Sequence, residues 1–151
     1  MKHIDTFKNH SDITFEVKKH KVSSKSKEKI DCYYVSLKKD GKTVSKCIFF
    51  IPTPNKLNYD DEYRIDDGGS IEIFRNCQIA KVYLFESKVK GQGYGTLLLK
   101  KLITYLKNIN IKQIHLDVDA DNIKAQKFYK NFGFKKKWKG FDNYRYYIDI
   151  K

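Results

Sequence analysis

Val82-Tyr83-Leu84-Phe85-Glu86-Ser87-Lys88-Val89-Lys90-Gly91-Gln92-Gly93-Tyr94-Gly95-Thr96-Leu97-Leu98-Leu99 reads as an apolar strand running into a glycine-rich turn, and the turn opens an apolar helix. Glycines remove the Cβ that blocks close approach of a backbone, and they permit φ > 0. The first N–H groups of a helix have no intrahelical acceptor, and the macrodipole adds partial positive charge there. A phosphate or pyrophosphate fits such a place.

Downstream, the pattern predicts a helix from Tyr94 to Asn108, with Leu97, Leu98, Leu102, Ile103, Tyr105 and Leu106 on a broad apolar face. A strand follows over Ile111–Val118, then a second helix over Asn122–Asn131. Gly133 fits a helix C-terminus, and Phe134 can pack back on the last turn. Phe134–Trp138 and Tyr144–Ile150 read as closing strands. The strand before the glycine turn and the strand over 111–118 are joined by one crossover helix, so they are expected to be parallel. Ligands of open α/β sheets bind beyond the carboxyl ends of such strands. That gathers Phe85, the glycine turn and Asp117–Asn122 around one crevice.

Upstream, residues 1–11 read as a short helix or a loose terminus. Ile13–Val17 alternates as a strand, and the lysine- and serine-rich residues 18–30 read as an exposed connection. Cys32–Leu37 and Val44–Ile51 form a hairpin about Asp40-Gly41, stopped by Pro52 and Pro54. Residues 52–69 read as a long polar connection, an acidic island carrying Asp60, Asp61, Glu62, Asp66 and Asp67. Ile71–Phe74 and Ile79–Phe85 read as two more strands around a turn at Arg75-Asn76-Cys77.

A chain of 151 residues with 40% hydrophobic and 15% aromatic content has enough apolar mass for a packed core, and one domain over 1–151 is expected. No apolar run is long enough to span a bilayer, and the first residues lack a secretory h-region. Cys32, Cys47 and Cys77 show no CxxC spacing, which argues for a reducing, cytoplasmic setting and against a disulfide framework or thiolate zinc. A nuclear location is also compatible. The formal charge of +13 invites a nucleic-acid reading. Only Arg64, Arg75 and Arg145 are arginines, however, and the lysines are scattered, so a lysine-rich solvated surface accounts for most of that charge.

The glycine turn alone does not fix a ligand class. It lacks the Gly-Lys-Ser/Thr ending of a Walker A loop, and it comes too late, behind antiparallel strands, for a dinucleotide fingerprint. The next stretch adds the missing context. Leu116-Asp117-Val118-Asp119-Ala120-Asp121-Asn122-Ile123-Lys124-Ala125-Gln126-Lys127-Phe128-Tyr129-Lys130-Asn131-Phe132-Gly133-Phe134 resembles the second signature of the GNAT superfamily of acetyl-CoA-dependent N-acetyltransferases, L-x-V-x-x-x-N-x-x-A-x-x-x-Y-x-x-x-G-F. Lys90–Gly95 resembles the first, Q/R-x-x-G-x-G/A, with Lys90 in place of Arg or Gln. The two signatures cover about residues 79–138. The two helices that usually follow the first strand in that family have little counterpart in residues 18–30.

The resemblance implies an α/β (α+β) fold: a mixed, mostly antiparallel twisted sheet with a central parallel strand pair splayed around the cofactor and helices on both faces. It implies acetyl-CoA as cosubstrate and no metal. The pyrophosphate would contact Lys90, Gly91, Gln92, Gly93, Tyr94, Gly95 and Thr96. The pantetheine would lie along Tyr83, Leu84 and Phe85, and the Phe85 N–H would face the thioester oxygen. Asn122 would cap its helix or bind the pantetheine, and Ala125 would line the same wall. Tyr129 would protonate the departing thiolate. Asp117, or Glu86 at the neighbouring strand end, would take the proton of the amine.

The expected acceptor is a primary amine, and the acidic island points to a cationic one: a polyamine, an aminoglycoside or a protein amine. A monomer or a homodimer is expected, with no membrane partner. The rival readings are a CoA-binding protein without catalysis and a basic RNA- or DNA-binding module. Lys130-Asn131-Phe132-Gly133-Phe134 partly imitates an RRM core, which needs those aromatics on a strand.

Overall fold

Strand pairing runs through almost the whole molecule. The computed structural model describes residues 2–7, 10–23, 29–51, 62–67, 70–75, 78–89, 91–139 and 142–151. In chain order these form β1 (Lys2–Phe7), β2 (His10–Ser23), β3 (Lys29–Lys39), β4 (Lys42–Ile51), β5 (Glu62–Asp67), β6 (Ser70–Arg75), β7 (Ile79–Ser87), α1 (Tyr94–Asn108), β8 (Gln113–Asp119), α2 (Ile123–Phe132), β9 (Lys135–Lys139) and β10 (Asn143–Asp149). Eight strands make one sheet in the order β1-β2-β3-β4-β7-β8-β10-β9, while β5 and β6 pair in a second, two-stranded sheet. Every pairing is antiparallel except that of β7 with β8. This is the expected mixed architecture with its central parallel pair.

Alternation along the strands gives the large sheet one apolar face. The register lines up Tyr33, Phe49, Val82, Leu116 and Tyr146 across five strands, and beside them Val17, Val35, Cys47 and Phe85. Leu98, Leu99, Leu102 and Leu106 of α1 are fully buried in the core these residues form. Tyr105 reaches Phe15 of β2, with ring centroids 6.4 Å apart. On α2, Tyr129 packs on Phe85 at 6.0 Å and on Tyr146 at 6.4 Å. Both helices therefore lie on the same face, whereas the expectation was helices on both. The crossovers explain it. β7-α1-β8 and β8-α2-β9 step in the same direction across the sheet, and connections of one handedness then put both helices on one side.

The N-terminal half holds more strand than its sequence pattern indicates. Residues 2–7 are neither helix nor loose end but pair with β2, whose edge offers them backbone partners. Much of 18–30 is also strand: β2 runs to Ser23 and β3 begins at Lys29, in register from Lys18↔Tyr34 to Ser23↔Lys29. Within 52–69, Glu62–Asp67 pairs with Ser70–Arg75, so β6 belongs with β5 rather than with β7. Residues 52–61, with Asp60 and Asp61, lie outside the described residues, as do Asn76 and Cys77.

The two helices follow their sequence signals closely. The chain leaves α2 through Gly133, at φ 126°, where the Gly133 N–H donates to the Lys130 carbonyl and the Phe134 N–H to the Tyr129 carbonyl. Phe134 then folds back on Tyr129, with ring centroids 5.3 Å apart. Lys130, Asn131 and Phe132 are thus helical, not on the strand an RRM core requires.

Leu102 faces the middle of this core with no exposed surface. Leu102→Ala is expected to lower the unfolding free energy by about 2–5 kcal/mol, read from the midpoint of a denaturant titration with the slope unchanged.

Candidate active site

The site is built on a break in the sheet. β7 and β8 pair from Ile79↔Gln113 to Val82↔Leu116 and no further. Beyond that point β7 stays attached to β4 as far as Ser87↔Ser45, and β8 stays attached to β10 as far as Asp119↔Asn143. The two central strands therefore diverge while each is held on its outer side. A bulge marks the parting: Phe49 faces Val82 and Ile48 faces Leu84, leaving Tyr83 as the extra residue of β7. Tyr83 is 77% exposed.

The bulge also decides which backbone groups face the gap. The Lys88 N–H donates to the Val44 carbonyl at 2.8 Å. Antiparallel alternation from that bond directs Leu84 and Glu86 toward β4, and the N–H groups of Phe85 and Ser87 into the gap.

Just past β7 the chain turns through Gly91 and Gly93, at φ 76° and 74°. Both values lie in the left-handed region that glycine adopts without strain. Gly93 is the N-cap of α1, and no side chain caps that end. The first helical bond is Leu97 N–H to the Gly93 carbonyl, at 3.0 Å, so the N–H groups at the start of α1 have no helical acceptor. The buried Ser45 hydroxyl on β4 donates to the Tyr94 carbonyl at 3.1 Å and ties the helix start to the sheet. Gly95 lies where α1 meets α2 over β7: a Cβ there would stand in ordinary contact, 3.4 Å from Phe128 and 3.6 Å from Phe85.

Two cavities with a shared wall occupy this region. The larger, about 390 Å³, runs from Phe85–Ser87 along the glycine turn to Asn122, Lys124, Ala125, Phe128 and Tyr129. The smaller, about 200 Å³, lies between the diverging strands and is lined by Tyr83, Asp117 and Asp119 among others. Phe85, Asn122, Ala125 and Tyr129 border both.

Tyr129 is 7% exposed and sits among Phe85, Phe128, Phe134 and Tyr146. Burial pushes its phenol well above the usual tyrosine range, so it stays protonated throughout the physiological range. The Asn122 side-chain oxygen accepts the Ala125 N–H at 3.1 Å and caps α2, leaving the amide NH₂ for other partners. Gln126 fixes the β8–α2 connection by donating to the carbonyls of Asp119 and Ala120, at 3.2 and 2.9 Å.

Of the two carboxylates expected as bases, Asp117 is held by Arg145 directly across the ladder. Nε meets Oδ1 at 2.7 Å and a terminal guanidinium nitrogen meets Oδ2 at 3.0 Å. Glu86 stands on the wall of the larger cavity, half exposed and 3.6 Å from Lys46. Lys90 lies outside the described residues. Gly91, Gly93, Tyr94, Gly95 and Thr96 line the larger cavity, while Leu84 and Gln92 line neither. Ser87, Val89, Lys124 and Phe128 also line the larger cavity, and Ser45 and Gln126 brace it, though sequence reasoning did not single them out. The two signatures flank most of these positions. Ser45 is remote in sequence and carries no local signal. Among the described residues no cluster of His, Cys, Asp or Glu could hold a metal. No helix there is long and apolar enough to cross a membrane.

Comparison with known proteins accords with this geometry. A sequence model of the acetyltransferase (GNAT) family matches residues 4–134, and the chain belongs to that family. It is accordingly an acetyltransferase. Solved structures share the fold. The N-acetyltransferase PseH of Campylobacter jejuni aligns with a TM-score of 0.56 at 17% identity, over 80% of this chain and 69% of that one. The PaiA N-acetyltransferase of Thermoplasma acidophilum, solved in complex with coenzyme A, aligns with a TM-score of 0.59 at 14% identity, over 78% of this chain and 60% of that one. An acetyltransferase of Thermus thermophilus aligns with a TM-score of 0.58 at 16% identity, over 79% and 64%. The chain thus spans less than two thirds of the PaiA and Thermus proteins. No curated protein matches by sequence.

His115 shares the strand face of Asp117, but it serves the fold. Gln113 donates to Asp149 at 2.6 Å, which leaves its carbonyl oxygen to accept from His115 Nε2 at 2.8 Å. Burial, reinforced by the charges of Arg145 and Lys81, lowers the imidazole pKa from 6.5 to about 4, against the pull of Asp117 and Asp149. Between those values the folded protein binds fewer protons than the unfolded chain. Stability is therefore expected to fall as pH drops from about 6.5 to about 4, by on the order of 3 kcal/mol. Denaturant titrations across that window check it, with the slope flattened in His115→Gln.

Proposed function

We propose that the protein transfers the acetyl group of acetyl-CoA to a primary amine by direct attack in a ternary complex. The observation that carries this reading is the meeting of the two cavities at Phe85, Asn122, Ala125 and Tyr129, between an uncapped helix start and a parted strand pair. Acetyl-CoA is long and thin, with a polyanionic end and a reactive end. The larger cavity offers backbone N–H groups for the pyrophosphate from Gly91 to Thr96. Lys90 and Lys124 supply cations nearby in the chain. The pantetheine amides would run beside Tyr83, Leu84 and Phe85 as an added strand, with partners on Tyr83 and Phe85, since Leu84 is turned to β4. The Asn122 NH₂ is available to the same arm.

The acceptor nitrogen attacks the thioester carbonyl carbon, and the Phe85 N–H stabilises the oxygen as it gains charge. The carbon–sulfur bond breaks, and Tyr129 gives its proton to the departing sulfur. The phenol and the leaving thiolate share one poorly solvated place. Burial raises both proton affinities, so the transfer remains feasible despite the raised tyrosine pKa. The tyrosinate recovers its proton from solvent. The amine's proton leaves through water to Asp117, whose oxygens keep lone pairs beyond those given to Arg145. Glu86 is the second candidate, because it faces the cosubstrate side. The free Cys32 and Cys47 support a reducing, cytoplasmic setting.

Acetyl-CoA turnover against a panel of primary amines tests this reading. Tyr129→Phe is expected to lower kcat by about 10²–10⁴ with the KM for acetyl-CoA little changed. An unchanged kcat would remove Tyr129 from the mechanism. With Tyr129 protonated throughout, the rise of rate with pH should follow the amine and its base, and should survive in Tyr129→Phe.

A further inference from the structure

We infer that Ser45, on β4, is a positioning residue for the polyphosphate end of acetyl-CoA: with the Val44 carbonyl beside it, its hydroxyl holds both ends of the glycine turn. This rests on the acetyltransferase reading and deepens it on the cosubstrate side of the site. The β3–β4 ladder explains why two neighbouring residues can act together. Leu37 faces Ser45 and Lys38 faces Thr43, so Val44 is an extra residue on β4. A bulge of this kind bends its strand and re-aims the side chains beside it. Val44 and Ser45 are accordingly both buried, at 6% and 0% exposed. Plain alternation would bury only one of them.

From the bulge, β4 reaches the turn at both ends. Where the chain leaves β7, the Val44 carbonyl accepts the Lys88 N–H at 2.8 Å and the Val89 N–H at 3.4 Å. The Ser87 hydroxyl donates to the Val89 carbonyl at 3.0 Å and braces the same corner. Where the chain enters α1, the Ser45 hydroxyl donates to the Tyr94 carbonyl at 3.1 Å. A carbonyl has two lone pairs, so this bond adds to the helical one rather than replacing it. Between the two ties, packing contributes little. No described atom would lie within 4 Å of a Cβ at Gly91 or Gly93. On the outer side, a cavity of about 390 Å³ lies between Val89 and Tyr94 and the β3–β4 turn at Lys39, Asp40 and Lys42. Glycine loses more conformational freedom on ordering than any other residue. Anchored ends remove part of that cost before a phosphate arrives, and preorganisation of this kind strengthens binding.

The test compares two acetyl donors that differ in the nucleotide end, acetyl-CoA and S-acetylpantetheine, with one amine that the native protein acetylates. The ratio of their kcat/KM values reads what the phosphates contribute, and it is independent of the fraction of enzyme that is folded. Ser45→Ala is expected to lower that ratio by about 3–10-fold, the range of one net hydrogen bond, through the KM for acetyl-CoA rather than kcat. Ser45→Cys fills the same space with a weak donor and should lower it similarly. Calorimetric Kd values for CoA and for pantetheine give the corresponding ratio without turnover. Equal losses with both donors would make Ser45 a residue of the core alone and overturn the inference. A native ratio in Ser45→Cys would do the same, since packing and not the hydrogen bond would then be at work. Failure of every amine to accept the acetyl group would instead remove the acetyltransferase reading, while the calorimetry would still decide the role of Ser45.

Discussion

The parting of β7 from β8 is the constraint on which the rest depends. A parallel pair in the middle of a sheet normally pairs along its whole length, because backbone groups left unpaired in an interior are costly. Here pairing stops after Val82↔Leu116. The extra residue at Tyr83 lets β7 follow β4 while it turns from β8. Neither strand frays, since β4 and β10 hold them from outside up to Ser87 and Asp119. The opening therefore has fixed walls. The Phe85 N–H, the proposed oxyanion donor, is thereby directed into the gap, as preorganised stabilisation of developing charge requires.

The helices close this opening from one side and couple it to the core. α1 is anchored by its leucines, and its first turn is drawn onto β4 by Ser45. α2 is tied on through Tyr129 and its neighbouring rings, and Phe128 packs close to Gly95 of α1. The packing that stabilises α2 also withdraws the Tyr129 hydroxyl from water and raises its pKa. Core formation and the protonation state of the proposed acid thus have one cause.

The strand–turn–helix at 82–99 and the helix at 122–133 were legible because both carry local signals: glycines at left-handed positions, an Asn cap with its Ala125 N–H, apolar spacing at helical period. The sheet's N-terminal half was harder. β1 and the outer parts of β2 and β3 form by pairing with neighbours rather than through alternation of their own, so Lys18–Ser23 reads as surface while lying in register with Lys29–Tyr34. The placing of both helices on one face was available from crossover handedness once the strand order was known, but the order itself is a long-range property. In the site, Asp117 was recognisable as a carboxylate at a strand end. Its engagement by Arg145, 28 residues later, was not, because it depends on the β8–β10 register. Ser45 is the same kind of case, a polar residue given its role by a contact across 49 positions.

The electrostatics divide the labour between range and contact. A formal charge of +13 draws a polyanion such as acetyl-CoA from a distance and opposes a cationic acceptor in the same measure. That field is screened within about 8 Å at physiological ionic strength. Inside that distance the local groups dominate, and they differ along the site. The glycine turn presents uncapped N–H groups near Lys124, whereas the lip of the smaller cavity presents the Asp119 carboxylate and the exposed Tyr83 ring. Asp117 adds little to this contrast, because Arg145 already answers it. A surface of scattered lysines can therefore coexist with a locally acidic cavity wall. The divergence of β7 and β8 opens the smaller cavity on the strand side, while the larger one follows the glycine turn at the start of α1.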